Sequence, residues 1–281
     1  MKITIDGVSR EIPAHFTLLQ ACREAGIEVP TLCFLDGMTP ANACRICVVE
    51  VEGARVLVPS CSRQVESGMV VQTDSERVRL ARRLVMEFLA SSVDLSLSPQ
   101  AQEYLKRYGA RPERFSAAGA SLATVAQDPK VDNDLYIRDL SRCILCYRCV
   151  DACGEEAQNT FAISVAGRGF DARIATEFDH PLPDSACVFC GNCIGVCPTG
   201  ALMFKSEHDL REAGAWNEGA QTRTETICPY CGVGCALTLH VQENRIVKVT
   251  SPQGNSVTRG HLCIKGRFGW QFVQDEEAEK P

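Results

Sequence analysis

Hydrophobic and polar residues alternate over positions 2–6 and 8–12 around Asp6-Gly7, a pattern that predicts a β-hairpin. Thr17-Leu18-Leu19-Gln20 has the form of a capping box and predicts a short helix, which Gly26 ends. Residues 48–51 and 55–58 flank Glu52-Gly53 as a second hairpin, so the first domain closes near Thr73. Asp74 is the predicted N-cap of a longer helix, with Val78, Ala81, Leu84, Val85 and Phe88 at helical spacing. Ser98 and Pro99 open another helix that stops at Gly109. Residues 110–133 and 211–223 read as linkers, and residues 136–210 as two similar halves. Beyond Thr224 short strands are expected, with Glu243-Asn244 as a hairpin tip between residues 237–241 and 245–249. The acidic stretch 275–281 is expected to fray.

The chain has 281 residues, a net charge of −6 and 17 cysteines. No basic block marks a nucleic-acid surface or a membrane anchor. The first residues carry no basic-then-apolar signal segment, and no apolar run is long enough to span a bilayer. The expected compartment is the cytoplasm, where thiols stay reduced and are free for metals rather than disulfides. The cysteines fall in clumps at 22–61, 143–153, 187–197 and 228–263.

The central clumps carry the most specific signal. Cys143, Cys146, Cys149 and Cys153 form one C-x2-C-x2-C-x3-C run; Cys187, Cys190, Cys193 and Cys197 form a second, followed by Pro198. This spacing resembles that of bacterial two-cluster ferredoxins, in which three cysteines of a run hold one [4Fe–4S] cluster and the fourth ligates the other. The resemblance implies one cluster on Cys143, Cys146, Cys149 and Cys197, and another on Cys187, Cys190, Cys193 and Cys153. Zinc is the rival ligand for C-x2-C pairs, but it usually takes two separated pairs and has no use for a triple run.

The N-terminal set is Cys33, Cys44, Cys47 and Cys61. It keeps the C-x2-C pair and distant fourth cysteine of the plant-type [2Fe–2S] pattern, with a longer first gap. The text from Ala43 through Gly53 resembles the [2Fe–2S] domain of the large iron–sulfur subunit of complex I, of iron-only hydrogenases and of NAD-linked formate dehydrogenases. A β-grasp fold is implied. In those relatives a further [4Fe–4S] cluster on one histidine and three cysteines often follows. Here residues 62–142 hold no cysteine and residues 16–179 no histidine, so that cluster is expected to be absent.

The last set is Cys228, Cys231, Cys235 and Cys263. The wording Cys228-Pro229-Tyr230-Cys231-Gly232-Val233-Gly234-Cys235, then Cys263-Ile264-Lys265-Gly266-Arg267-Phe268-Gly269, resembles the first domain of molybdopterin-dependent oxidoreductases, formate dehydrogenase above all. The resemblance implies a third [4Fe–4S] cluster, with Lys265 between cluster and pterin. The order of all four sets is similar to the iron–sulfur half of cytoplasmic NAD-linked formate dehydrogenase alpha subunits. The sequence ends before their metal–pterin region, so the expectation is either a catalytic site on a separate polypeptide or a chain that has lost it and serves another partner.

The fold class expected is α+β and modular. A β-grasp [2Fe–2S] domain (1–75) leads, followed by a helical connector (76–133), a two-cluster ferredoxin domain (134–210) and a small β-rich [4Fe–4S] domain (224–272). The implied role is electron relay between a molybdopterin (Mo/W) catalytic subunit, whose molybdopterin guanine dinucleotide Lys265 could touch, and a flavin/NAD(P)-binding subunit or ferredoxin. The alternatives are a diaphorase-type small subunit of a hydrogenase or bifurcating complex, and a non-redox zinc scaffold. Neither a nucleotide motif nor a catalytic site is legible in the chain, and Cys22 reads as a buried inert thiol.

Overall fold

The computed structural model describes residues 1–115 and 128–274. The chain divides into two units, Met1–Val125 with Arg142–Arg148, and Ala126–Ser141 with Cys149–Pro281.

The first unit opens with β1 (Lys2–Ile5) and β2 (Val8–Glu11), joined by Asp6 and Gly7 at φ 48° and 80°. Two left-handed residues in succession match the turn that a right-twisted hairpin needs. Helix α1 (Leu18–Glu24) has the capping box expected, Thr17 and Gln20 each bonding the other's backbone N–H. Strands β3 (Val48–Val51), β4 (Val58–Pro59) and β5 (Val70–Gln72) complete a mixed five-stranded sheet ordered β2-β1-β5-β3-β4, in which β1 and β5 run parallel. Leu18, Leu19, Ala21 and Cys22 of α1 pack into one core with Ile3, Ile5, Val49 and Val71 of the sheet. The second hairpin returns later than expected, its strand being β4 rather than residues 55–58.

Helix α2 (Glu76–Ser92) is capped by Ser75, whose side chain accepts from the Val78 N–H; Asp74 instead pairs with Arg79. Its inward face also differs from the apolar stripe read from the sequence. Arg82 and Glu87 are buried, whereas Phe88 is 49% exposed. Arg82 Nη2 donates to the Val48 carbonyl at 3.0 Å, and Glu87 pairs with Arg114 at 2.9 Å. Polar heads with such partners can enter a core that hydropathy alone assigns to apolar residues. Helix α3 (Pro99–Arg107) starts on Ser98 and Pro99 as expected. Between α2 and α3, Met86, Leu95, Ala101 and Tyr104 pack with Leu32 and Ile46.

The second unit begins with β6 (Tyr136–Arg138), α4 (Arg148–Cys153), β7 (Ser164–Ala166) and β8 (Arg173–Ala175). Helix α5 (Asn192–Val196), β9 (Leu202–Phe204) and α6 (Lys205–Glu212) follow. β6 pairs antiparallel with β9, Tyr136 opposite Phe204, and β7 pairs with β8. A three-stranded antiparallel sheet of β10 (Thr222–Ile227), β11 (Ala236–Gln242) and β12 (Arg245–Thr250) comes next, then α7 (Ile264–Phe268). Glu243 and Asn244, at φ 51° and 60°, make the expected tip. The linkers are shorter than read. Helix α6 and strand β10 take up both ends of 211–223, and a 3-10 turn covers Pro112–Phe115. The rest of the first linker through residue 127, and the acidic stretch 275–281, lie outside the described residues. No helix among those described is long and apolar enough to cross a membrane.

His240 on β11 is buried, with Nε2 2.9 Å from Thr250 Oγ1. Burial first, and the charges of Lys248 and Arg223 next, push its pKa down to about 4. The unfolded chain, with an ordinary histidine near pH 6.5, therefore takes up a proton that the folded sheet refuses. Stability of this sheet is full above that pH and falls as pH drops from about 6.5 towards 4. Hydrogen-exchange protection of β11 and β12 should weaken between pH 7 and 5 in the native chain and less in His240→Gln. Equal slopes in the two chains contradict this.

Candidate metal centres

The first cysteine set is shaped by loops held over the five-stranded sheet. Asn42 and Arg45 adopt φ 55° and 61°, which turn the chain tightly between Cys33 and Cys47. The backbone N–H of Cys33 points at Cys44 Sγ (3.4 Å) and that of Cys44 at Cys33 Sγ (3.5 Å). The Cys47 and Cys61 sulfurs share a hydrogen bond at 3.4 Å, and Ser60 Oγ anchors this second pair on the Cys47 carbonyl at 2.7 Å. The donor set is thus two pairs of thiols. The side-chain hydrogen bond shared with Cys44 lowers the Cys33 thiol to about 6, and that shared with Cys61 lowers Cys47 to about 7. Their partners move upward, through the sulfur–sulfur contact first and burial next. Each pair thereby favours one thiolate, the form that binds metal. Two adjacent pairs suit a binuclear centre with two sulfurs on each iron.

The two central runs share one backbone design. Leu145 and Tyr147 in the first have φ 51° and 65°; Phe189 and Gly191, at the same places in the second, have φ 53° and 68°. The Leu145 N–H points at Cys143 Sγ and the Phe189 N–H at Cys187 Sγ, both at 3.4 Å. This agreement in detail supports the duplication read from the spacing. Cys143 and Cys146 belong to the first unit; Cys149, Cys153 and Cys197 belong to the second. Within the second unit, burial raises the Cys193 thiol, and the negative charge of Cys190, Cys187 and Cys153 raises it further. Those four sulfurs therefore form one electrostatic group. The Tyr136 hydroxyl lies 3.2 Å from Cys187 Sγ.

In the last set, the Cys228 N–H donates to the Cys235 carbonyl at 2.8 Å and closes the loop that follows β10. Cys263 is the N-cap of α7. Burial raises the Cys235 thiol, followed by the charges of Cys228, Cys231 and Cys263, so these four also form one group. Cys231 and Cys263 are exposed, as are the apolar side chains of Ile227, Tyr230, Val233 and Ile264. Lys265 is exposed on α7.

All 17 cysteines are free thiols. Among the described residues, no three His, Cys, Asp or Glu side chains converge as they would on a single metal ion. In a cubane each cysteine sulfur binds its own iron, and in a binuclear cluster two share one, so three sulfurs need not converge on a single point. Cys22 lies in the sheet-helix core, where burial pushes its thiol up to about 11 and keeps it protonated. Arg142 pairs with Asp94 at 2.5 Å, and Arg148 donates to the Leu32 carbonyl at 3.1 Å. The residues that sequence reasoning missed are Tyr136 and Arg267, the latter fully buried and bonded to the Cys190 carbonyl. The signal for Arg267 lay in Gly191 and Gly195, which leave room for its side chain.

Three family models match the chain in order. They are a 2Fe-2S iron-sulfur cluster binding domain over residues 1–76, the ferredoxin-like domain of NADH-quinone oxidoreductase subunit 3 over 134–203, and the molybdopterin oxidoreductase Fe4S4 domain over 221–275. The chain is 34% identical to a subunit of the NADH-quinone oxidoreductase of Rhizobium meliloti, over 100% of this chain and 32% of that protein. It is 32% identical to the NADPH-Fe(3+) oxidoreductase subunit alpha of Geobacter sulfurreducens, over 99% of this chain and 32% of that protein. The chain thus spans about a third of these curated relatives. A crystal structure of an NAD+-reducing [NiFe]-hydrogenase in the H2-reduced state superposes with a TM-score of 0.62 at 27% identity, covering 73% of this chain and 87% of that one. The resemblance to formate dehydrogenase is the more distant, a putative formate dehydrogenase of Staphylococcus haemolyticus being 24% identical over 99% of this chain and 32% of that protein. From end to end, then, the chain is similar to the iron–sulfur N-terminal portion of the family that joins these NADH-quinone oxidoreductase subunits to the molybdopterin oxidoreductases.

Proposed function

We propose that this chain relays single electrons between two redox partners through one [2Fe–2S] and three [4Fe–4S] clusters. The observation that carries the reading is the grouping of its thiols under three matched iron–sulfur domain models in the order of known electron-transfer subunits. Cys33, Cys44, Cys47 and Cys61 would hold the binuclear cluster. Cys143, Cys146, Cys149 and Cys197 would hold the first cubane, and Cys187, Cys190, Cys193 and Cys153 the second. Cys228, Cys231, Cys235 and Cys263 would hold the third. When bound, such clusters accept and release one electron at a potential set by charge, hydrogen bonds and burial. The protein's part is to fix the sulfurs, aim N–H groups at them and exclude water.

The exposure of Cys231 and Cys263, and of the apolar Ile227, Tyr230, Val233 and Ile264 near them in sequence, favours the last domain as a contact for a catalytic partner. A molybdopterin subunit is the partner suggested by the domain type, formate the more specific substrate, and Lys265 the residue that would face its pterin. An NAD(P)- and flavin-binding subunit, or a ferredoxin, would serve at the other end. A second reading is a diaphorase-type subunit of a hydrogenase, favoured by the likeness to the NAD+-reducing hydrogenase.

Protein purified without oxygen should carry about fourteen irons and as many acid-labile sulfides per chain. Zinc in place of iron would refute the relay. Cys153→Ser should remove the electron paramagnetic resonance (EPR) signal of the second-run cubane, whereas Cys22→Ala should leave iron content unchanged. Loss of iron in the second variant would make Cys22 a ligand. With the catalytic partner present, Lys265→Ala should slow cluster reduction by its substrate at unchanged iron content, and an unaltered rate removes Lys265 from that contact. Formate or hydrogen as the effective reductant of the purified complex separates the two readings.

A further inference from the structure

Residues 260–269 belong to the last cysteine set by sequence, yet they also build the surroundings of the second central run. Cys263 caps α7, and its carbonyl accepts from the Arg267 N–H at 3.1 Å. One turn on, the Arg267 side chain is 0% exposed. Its Nε donates to the Cys190 carbonyl at 3.0 Å. Its Nη2 donates to Asn192 Oδ1 at 3.2 Å and to the Gly260 carbonyl at 3.3 Å. Nη1 is buried without a hydrogen-bond partner. Asn192 Oδ1 also accepts from the Leu262 N–H at 2.9 Å, so one amide holds both the guanidinium and the segment that delivers it.

The fit is close. A Cβ on Gly191 would lie 2.3 Å from Arg267 Cδ, and one on Gly195 would lie 3.4 Å from Nη2. The next ring, Phe268, stacks on Tyr136 and packs against Phe204, closing the site from water.

A buried guanidinium is costly unless negative charge offsets it. No carboxylate pairs with Arg267 among the described residues, and the charges that bear on it are the Cys193 and Cys190 sulfurs. A guanidinium holds its proton in proteins, so Arg267 brings a full positive charge into this site. A thiolate-ligated cubane bound at these sulfurs would supply the negative charge, and one more unit of it on reduction.

Resting on the cluster assignment above, we propose that Arg267, delivered by the C-terminal domain, is a positioning residue that raises the reduction potential of the cluster held by Cys153, Cys187, Cys190 and Cys193. The unpaired Nη1 and the absence of a competing carboxylate leave its charge free to stabilise the added electron. That cluster's potential then depends on a residue from the domain that carries its neighbour.

The test is an EPR-monitored redox titration of the anaerobic holoprotein, following the signal lost in Cys153→Ser, with iron counted in every variant. Arg267→Gln should keep its iron, and the reduced fraction of this cluster at fixed potential should fall about tenfold, a shift of about 59 mV for one electron. Arg267→Lys, which keeps the charge, should recover most of that loss. Asn192→Asp preserves both accepted hydrogen bonds and cancels the charge in place, so it should lower the potential even if Arg267→Gln loads poorly. An unshifted Asn192→Asp, an Arg267→Lys as low as Arg267→Gln, or an equal shift of every cluster overturns the proposal. A native chain that lacks this signal overturns the cluster assignment together with it.

Discussion

Sulfur atoms can gather around a metal cluster only if the backbone between them turns back on itself and aims its N–H groups inward. That constraint recurs through the chain. Leu145, Tyr147 and Phe189 take positive φ values although none is glycine, and so do Asn42 and Arg45. Each such residue costs about 1–2 kcal/mol, and the cost is borne where it points an N–H at a sulfur or brings two sulfurs together. The sheets and helices around these loops serve mainly to fix their ends.

Burial of the sulfurs is uneven, which matters for a relay. In the first set three thiols are buried and tied in pairs; in the last, Cys231 and Cys263 face outward. Exposure shortens the path to a docked partner, while burial protects a cluster and tunes its potential. In the proposed relay, the last domain is therefore the contact end and the second central run a protected station. The buried Arg267 and the Tyr136 hydroxyl beside Cys187 belong to that station. Both add positive or hydrogen-bonding character where an electron would reside.

The helical connector carries a different lesson. Its helices remain although the ligands of an intermediate cluster are missing from the sequence. Met86, Leu95, Ala101 and Tyr104 pack between them instead. Apolar contacts, the Arg82 bond to β3 and the buried Glu87 with Arg114 hold the helices.

Local rules made much of this chain legible from its residues. Turn chemistry at Asp6-Gly7 and Glu243-Asn244, the capping box at Thr17 and the Ser98-Pro99 helix start depend on neighbours within a few positions, and these elements lie where expected. The cysteine spacing likewise reports a local loop geometry, repeated in the two central runs. What only the tertiary structure decided were contacts between distant segments. The parallel pairing of β1 with β5, the inward turn of Arg82 and Glu87, and the docking of Arg267 on Cys190 each join residues far apart in sequence. A polar side chain enters a core only when a remote partner satisfies it, and no periodicity within its own helix announces that partner.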